Sequence, residues 1–188
     1  MLAATLLLLS GGESRRMGRP KALLPVAGTT LLEWMAGRLG GDFEEVLVSA
    51  RDPALVPPAL LGRTVFDEGP GAGPLAGIAA GLAHARHERV LVVACDMPAV
   101  TPQLLRRLSE EANAVDAAVP RVGGRAEPTC ACYRKSAERP IREALRAGRL
   151  RASGILEVLT VHWVEDLDPL LFQSLNTQED YQQFRSTL

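Results

Sequence analysis

The stretch Leu6-Leu7-Leu8-Leu9-Ser10-Gly11-Gly12-Glu13-Ser14-Arg15-Arg16-Met17-Gly18-Arg19-Pro20-Lys21 decides how this chain is read. Four consecutive leucines follow neither a helical nor an alternating period, so the run reads as a strand buried on both faces. It breaks at once into glycines and cations. Glycine lets the backbone turn tightly and approach a ligand with no Cβ in the way, and successive exposed N–H groups beside cations favour a polyanion. Binding a nucleoside triphosphate requires that combination. The loop is not a Walker A sequence, because no Gly-Lys-Ser/Thr follows its first glycine at the right distance, and it lacks the G-x-G-x-x-G spacing of dinucleotide folds.

Outward from this point, apolar runs recur at Ala3–Leu9, Val46–Val48 and Val90–Ala94, with a shorter strand at Arg63–Phe66. Helical spacing falls between them: Leu31, Leu32, Met35 and Leu39 share a face, as do Leu75, Ile78, Ala79 and Leu82. Strands alternating with helices predict a three-layer, Rossmann-like α/β sandwich with a mostly parallel, mixed sheet. Pro74 marks the start of the second helix, and Thr101-Pro102 marks a third, with Thr101 as N-cap and Leu104, Leu105 and Leu108 facing inward. Later segments read as strands at Asp116–Pro120 and Thr129–Tyr133 joined by a turn at Val122–Arg125, a helix over Ala137–Ala147, a strand at Leu159–Val164 and a closing helix at Gln178–Phe184. Pro53–Pro58 reads as a surface loop.

With 188 residues the chain fits one domain, 1–188, with core enough to need no disulfide. A net charge of −1 argues against general affinity for nucleic acid or an anionic membrane, so the basic residues are expected to act locally. No Lys or Arg precedes Leu2–Leu9 and the segment is too short to span a bilayer, which makes it a strand rather than a signal. Cys95, Cys130 and Cys132 lack the second ligand pair of a structural zinc site and are expected as buried apolar residues in a reducing cytoplasm.

The Val90–Ala94 strand delivers Cys95-Asp96-Met97-Pro98 to its C-terminal end, where open α/β sheets place ligands. A carboxylate there can hold Mg²⁺, which bridges protein oxygens to substrate phosphates; the plain alternative is that Asp96 only caps the strand. Lys21 and Arg16 are candidates to neutralise the β- and γ-phosphates, one as a mobile point charge and the other as a planar fork. Arg15 and Arg19 either join them or stay solvated. Asp67 is placed to accept hydrogen bonds from a base or ribose, with turn initiation as its competing role. Gly77 and Gly81 lower helix propensity, implying close packing against the sheet or a ligand. His84, His87 and His162 are scattered and read as surface residues. Arg142, Arg146, Arg149 and Arg151 read as the wet face of a helix or as contacts to anionic substrate groups. Trp34 and Trp163 read as packing residues.

The N-terminal loop resembles the signature L-x-G-G-x-S/G-x-R-M-G-x-x-K of nucleotidyltransferases. A more specific resemblance combines it with Asp67, Gly73-Pro74-Leu75-Ala76-Gly77, Cys95-Asp96-Met97-Pro98 and Asn176-Thr177-Gln178-Glu179-Asp180: together they look like the molybdenum cofactor guanylyltransferase family. That resemblance implies a fold of the nucleotide-diphospho-sugar transferase type and transfer of GMP from GTP to the phosphate of molybdenum-bearing molybdopterin, releasing pyrophosphate. It implies that Leu9, Ser10, Gly11 and Gly12 contact GTP through the backbone, that Lys21 meets its phosphates and Asp67 its nucleoside, and that Asp96 binds magnesium and nucleotide. Gly77 and Asn176 would border the pterin. Molybdoenzymes or cofactor-handling proteins would be the partners. Two departures stand out: Arg51 where many members have asparagine, and Ser174 where the closing motif often has asparagine. Cytidylyltransferases acting on the same pterin share Gly18-Arg19-Pro20-Lys21-Ala22-Leu23-Leu24, but usually lack G-P-L-A-G and carry D-Q-P. CMP transfer to the pterin, or nucleotide transfer to a sugar phosphate, is therefore the alternative enzyme, and a noncatalytic nucleotide-binding protein of the same fold is the alternative class.

Overall fold

The structure, a computed structural model, describes residues 1–11, 19–67 and 73–188. Gly12, Arg15 and Arg16, and the segment Glu68-Gly69-Pro70-Gly71-Ala72, lie outside the described residues. In chain order the elements are β1 (Leu2–Leu9), a short hairpin of β2 (Pro25–Val26) and β3 (Thr29–Thr30), α1 (Leu31–Gly40), β4 (Phe43–Ala50), β5 (Thr64–Phe66) and α2 (Gly73–His84). They continue with β6 (Arg89–Ala94), α3 (Pro102–Glu111), β7 (Ala117–Val122), β8 (Arg125–Ala126), β9 (Cys130–Arg134), α4 (Glu138–Arg146), β10 (Val161–Val164) and α5 (Gln178–Arg185).

One sheet runs β10-β7-β9-β6-β1-β4-β5, with β8 paired to β7. β1 lies parallel to both β4 and β6, and residues Ala4 to Leu9 are buried, as an uninterrupted apolar run demands. Alternate leucines point to opposite layers: Leu6 and Leu8 pack with α1 and α3, while Leu7 and Leu9 pack with α2 and α4. Along that order β9 reverses, lying antiparallel between β6 and β7, which makes the mostly parallel sheet mixed, as expected. Its return from β7 follows from the tight turn at Gly123 and Gly124, both at positive φ.

The helix starts are written in side chains. Thr30 and Glu33 form a capping box on α1, and Thr101 Oγ1 accepts the Leu104 N–H at the start of α3. The expected surface loop at Pro53–Pro58 is instead two short 3-10 turns, Pro53–Leu55 and Pro58–Arg63, that bury Val56 and Leu60 against the core. Proline at the first positions of each turn supplies the φ they need, and the apolar side chains supply the reason to fold inward. Gly77 and Gly81 are explained by contact with the sheet. A Cβ on Gly81 would stand 2.1 Å from a Leu7 methyl, and one on Gly77 would stand 2.6 Å from Ser49 Oγ. No helix among the described residues is long and apolar enough to cross a membrane.

Candidate active site

The chain leaves β1 for β4 on one side and later enters β6 on the other, so the crevice beyond Leu9 and Ala94 is the topological switch point of the sheet. The two strand ends are tied together: Cys95 N–H donates to Leu9 O at 3.1 Å, and Ser10 N–H donates to Ser49 O at 2.8 Å. Ser10 Oγ donates to Leu55 O at 3.1 Å, which explains the burial of this hydroxyl. The Ser10 N–H is thus committed to the sheet. Gly11 is exposed, with nothing within 4 Å of the position a Cβ would take. Ser10, Gly11, Pro20, Lys21, Leu55 and Asp96 line a pocket at this point.

Lys21 opens a 3-10 turn, Lys21–Leu23, whose Ala22 is buried, and this anchors the lysine across the crevice. Its Nζ donates to Asp96 Oδ2 at 2.7 Å and to Asn176 Oδ1 at 2.9 Å. The side chains of Lys21 and Asp96 are 15% and 23% exposed, so this ion pair is sheltered yet open to a ligand. Asp96 is held from the other side as well, its carbonyl accepting the Leu175 N–H at 2.8 Å. Three residues far apart in sequence therefore converge: Lys21, Asp96 and Asn176.

Among the described residues, no group of three or more His, Cys, Asp and Glu is arranged to hold a metal ion. A single carboxylate suits a cation that keeps waters and takes its remaining oxygens from phosphates, as Mg²⁺ does, and does not suit a zinc caged by protein. Neighbouring Cys95 is no competitor, because burial pushes its thiol up to about 12 and the adjacent Asp96 charge pushes the same way. The three cysteines are all free and buried.

Asp67 occupies a second corner, past the end of β5. Its N–H donates to Ala50 O at 3.2 Å, while its Oδ1 is buried with no hydrogen-bond partner among the described residues. Burial raises its pKa above the ordinary carboxylate value, opposed by its own backbone N–H, by the Arg51 charge and by the Ser49 hydroxyl. Ser49 lies between this corner and Gly77. Gly77 itself faces Ser49 and Leu9, so its place is the helix–sheet contact that sets how closely α2 approaches the site.

The remaining candidates sort cleanly. Arg19 is exposed. Arg142 pairs with Glu138 at 2.9 Å and Arg139 with Glu143 at 2.9 Å, the solvated face of α4. His84 is exposed, but His87 is half-buried beside Glu44 at 3.7 Å, and His162 bonds Glu111 at 2.9 Å. Trp34 meets Phe184 of α5 edge-on at 5.3 Å, and the Arg121 guanidinium lies 3.8 Å over Trp163. Asp180, which sequence reasoning gave no functional role, accepts the N–H groups of Asn176 at 2.8 Å and Thr177 at 2.7 Å. The spacing Thr177-x-x-Asp180 is the signal that reveals it, because a hydroxyl followed three positions later by an acid marks a reciprocal helix cap.

Comparison with known proteins places these features in context. A family model described as "MobA-like NTP transferase domain" matches residues 6–165. The chain is 41% identical over 169 residues to a probable molybdenum cofactor guanylyltransferase of Pelotomaculum thermopropionicum, covering 88% of this chain and 80% of that one. Among solved structures it is similar to the molybdopterin-guanine dinucleotide biosynthesis protein A of Archaeoglobus fulgidus, with a TM-score of 0.82, 27% identity and 97% of each chain covered. The 2-C-methyl-D-erythritol 4-phosphate cytidylyltransferase of Thermus thermophilus shares the fold with a TM-score of 0.74 and 27% identity over 97% of each chain.

Proposed function

The chain belongs to the MobA-like NTP transferase family, and from that premise we propose that it transfers GMP from GTP to the phosphate of molybdenum-bearing molybdopterin, with residues 1–188 working as one catalytic unit. The products are the guanine dinucleotide cofactor and pyrophosphate. The observation that carries this reading is the Lys21–Asp96 pair, 2.7 Å apart at the switch-point crevice, in a chain whose Pelotomaculum relative is named for guanylyl transfer.

In the reaction, an oxygen of the acceptor phosphate attacks the α-phosphorus of GTP. The bond from that phosphorus to the oxygen bridging it to the β-phosphorus breaks, and pyrophosphate leaves with the electron pair. The attacking oxygen is already anionic, so no general base is required and catalysis reduces to alignment and charge neutralisation. Without ligand, Lys21 and Asp96 neutralise each other. With the triphosphate in place, Lys21 exchanges Asp96 for the β- and γ-phosphate oxygens, and Asp96 becomes free to act as a metal ligand. Arriving together, nucleotide and cation leave neither side chain with a bare charge, the costly state in a sheltered site. Bound Mg²⁺ would neutralise the charge developing on the α-phosphate.

Arg16 would add a planar fork to the phosphates, and Gly11 and Gly12 a backbone approach free of side chains. Asp67 is the nucleoside contact: its orphaned Oδ1 is an acceptor waiting for a hydroxyl or ring N–H, and such buried groups rarely go unpaired without a reason. Asn176, beside Lys21, borders the acceptor side. The shared fold does not choose the base, since a cytidylyltransferase has it too. Pyrophosphate release is therefore to be measured with GTP, CTP, UTP and ATP, each with molybdopterin or a sugar phosphate as acceptor. Preference for GTP with the pterin is the expected result; preference for CTP moves the assignment to cytidylyl transfer, and binding with no release under any pairing moves it to a noncatalytic nucleotide-binding protein.

A further inference from the structure

We infer that Asp180 is a positioning residue for triphosphate binding, acting on Lys21 through Asn176. The inference rests on the triphosphate role proposed for Lys21.

A single oxygen, Asp180 Oδ2, accepts both the Asn176 N–H at 2.8 Å and the Thr177 N–H at 2.7 Å. Two donors on one oxygen fix the peptide planes on either side of Asn176, and so the direction in which its side chain leaves the backbone. The two N–H groups are also the first causes holding the Asp180 carboxyl below the ordinary carboxylate range, which keeps it ionised as a double acceptor. Thr177 Oγ1 returns a bond by accepting the Asp180 N–H at 3.1 Å, closing the cap on α5. The oriented Asn176 then presents Oδ1 to Lys21 Nζ at 2.9 Å. The oxygen must be the atom facing the lysine, since an ammonium has three donors and no acceptor.

The ends of this strap are tied to the elements flanking Lys21 and Asp96. Leu175 N–H bonds Asp96 O, and the hydroxyl of Tyr181, one residue past Asp180, donates to Pro25 O just beyond the Lys21 turn. The lysine ammonium thus sits where a C-terminal segment, not its own flexible stem, holds it. A neutral amide oxygen suits this position, because it orients the ammonium without neutralising it and leaves the charge available to phosphate. A second carboxylate at position 176 would compete with the ligand.

The test compares binding of GTP and of GMP by calorimetry, since only GTP carries the β- and γ-phosphates assigned to Lys21. Asp180→Ala is expected to weaken GTP about tenfold, the scale of one misplaced charge-assisted bond, and to leave GMP within about twofold. Asp180→Glu should recover most of the GTP affinity, because Glu at this helix position forms the same reciprocal cap. In a Lys21→Met background, Asp180→Ala should add no further loss, as expected of residues acting in series. Equal weakening of both nucleotides, unchanged GTP binding, or additive losses in the double variant would overturn the inference. If Asp180→Ala does not melt cooperatively, Asp180→Leu, similar in shape and without an acceptor oxygen, carries the same comparison. A wild-type chain with no preference for GTP over GMP would instead sink the triphosphate role of Lys21 itself, and this inference with it.

Discussion

Asp96 and Asp67 stand at the same C-terminal edge of one sheet in opposite electrostatic states. Asp96 is matched by Lys21 at 2.7 Å and its backbone is tied to Leu175, so the ligand-free pair is neutral and held. Asp67 has a buried oxygen with no partner among the described residues, and burial pushes its proton affinity up. Asp96 has a charged partner at hydrogen-bond distance, whereas Asp67 keeps one buried oxygen, Oδ1, unpaired among the described residues. The difference separates affinity from stability. Disturbing the paired corner should harm turnover with little change in folding, whereas filling or discharging the unpaired corner should help folding and harm binding.

The strongest test of that contrast is Asp96→Asn, nearly isosteric but without charge. Metal-dependent pyrophosphate release should fall by roughly 10²- to 10³-fold, the scale of losing one preorganised electrostatic contact. The chain should still fold cooperatively, with a modest drop in thermal midpoint, because the Lys21 ammonium loses its charged partner in a sheltered crevice but keeps Asn176 and some solvent. Undiminished turnover would remove Asp96 from the metal site.

Gly77→Ala probes the packing behind the unpaired corner. The added methyl would meet Ser49 Oγ at 2.6 Å and Leu9 Cδ2 at 3.2 Å, so α2 or Ser49 must shift. A destabilisation of about 1–3 kcal/mol is expected in denaturant unfolding, with nucleoside binding lowered as Ser49 and Asp67 move apart. An alanine tolerated in both readouts would mean that the close approach of α2 has no bearing on the site.

Asp67→Asn should do the reverse to stability. The folded chain holds this proton to higher pH than the unfolded chain, so it binds more protons than the unfolded state between the ordinary and the raised pKa, and its stability falls as pH rises through that window. Removing the charge should therefore stabilise the ligand-free protein at neutral pH by about 1 kcal/mol, the low end of the cost of a buried unsatisfied group. The gain should vanish in acid below the ordinary carboxylate range, where Asp67 is protonated whether folded or not. GTP affinity should fall in the same variant; a stability gain that persists in acid would show that the buried charge is not its origin.

The smallest effect is reserved for the open side of the cleft. Gly11→Ala meets nothing within 4 Å, so unfolding should change by less than about 0.5 kcal/mol. Any loss should appear only in nucleotide affinity, where a Cβ stands between backbone and phosphate. Gly11 and Gly77 read alike as letters and differ in what surrounds them.

Much of this was legible because local rules were obeyed. Leu6 to Leu9 and Val90 to Ala94 are central strands whose apolar runs cannot be amphipathic, and Thr101-Pro102 starts α3 where its cap chemistry says. The candidate residues Lys21, Asp67 and Asp96 stood at strand ends or in a glycine-rich loop, positions that sheet topology turns into a shared edge. What stayed illegible was long-range. The turn at Gly123-Gly124 announced the return of β9, but not that β9 would insert between β6 and β7. Val56 sat in the proline-rich segment Pro53–Pro58 that read as a surface loop, and only the core beneath it makes it fold inward. The strap from Asn176 to Tyr181 crosses more than 150 residues of chain to reach Lys21 and Pro25, and no periodicity encodes such a contact.

Alone, then, the order of residues determined the repeating strand–loop–helix units and the place of Asp96 after β6, because these depend on backbone sterics, burial period and capping within a few positions. Only tertiary structure decided that Lys21 rests between Asp96 and Asn176, that Asp67 Oδ1 is left unpaired among the described residues and that Gly77 yields to Ser49. Pairing and desolvation are set by which surfaces close over one another, and that is known only once the chain has folded.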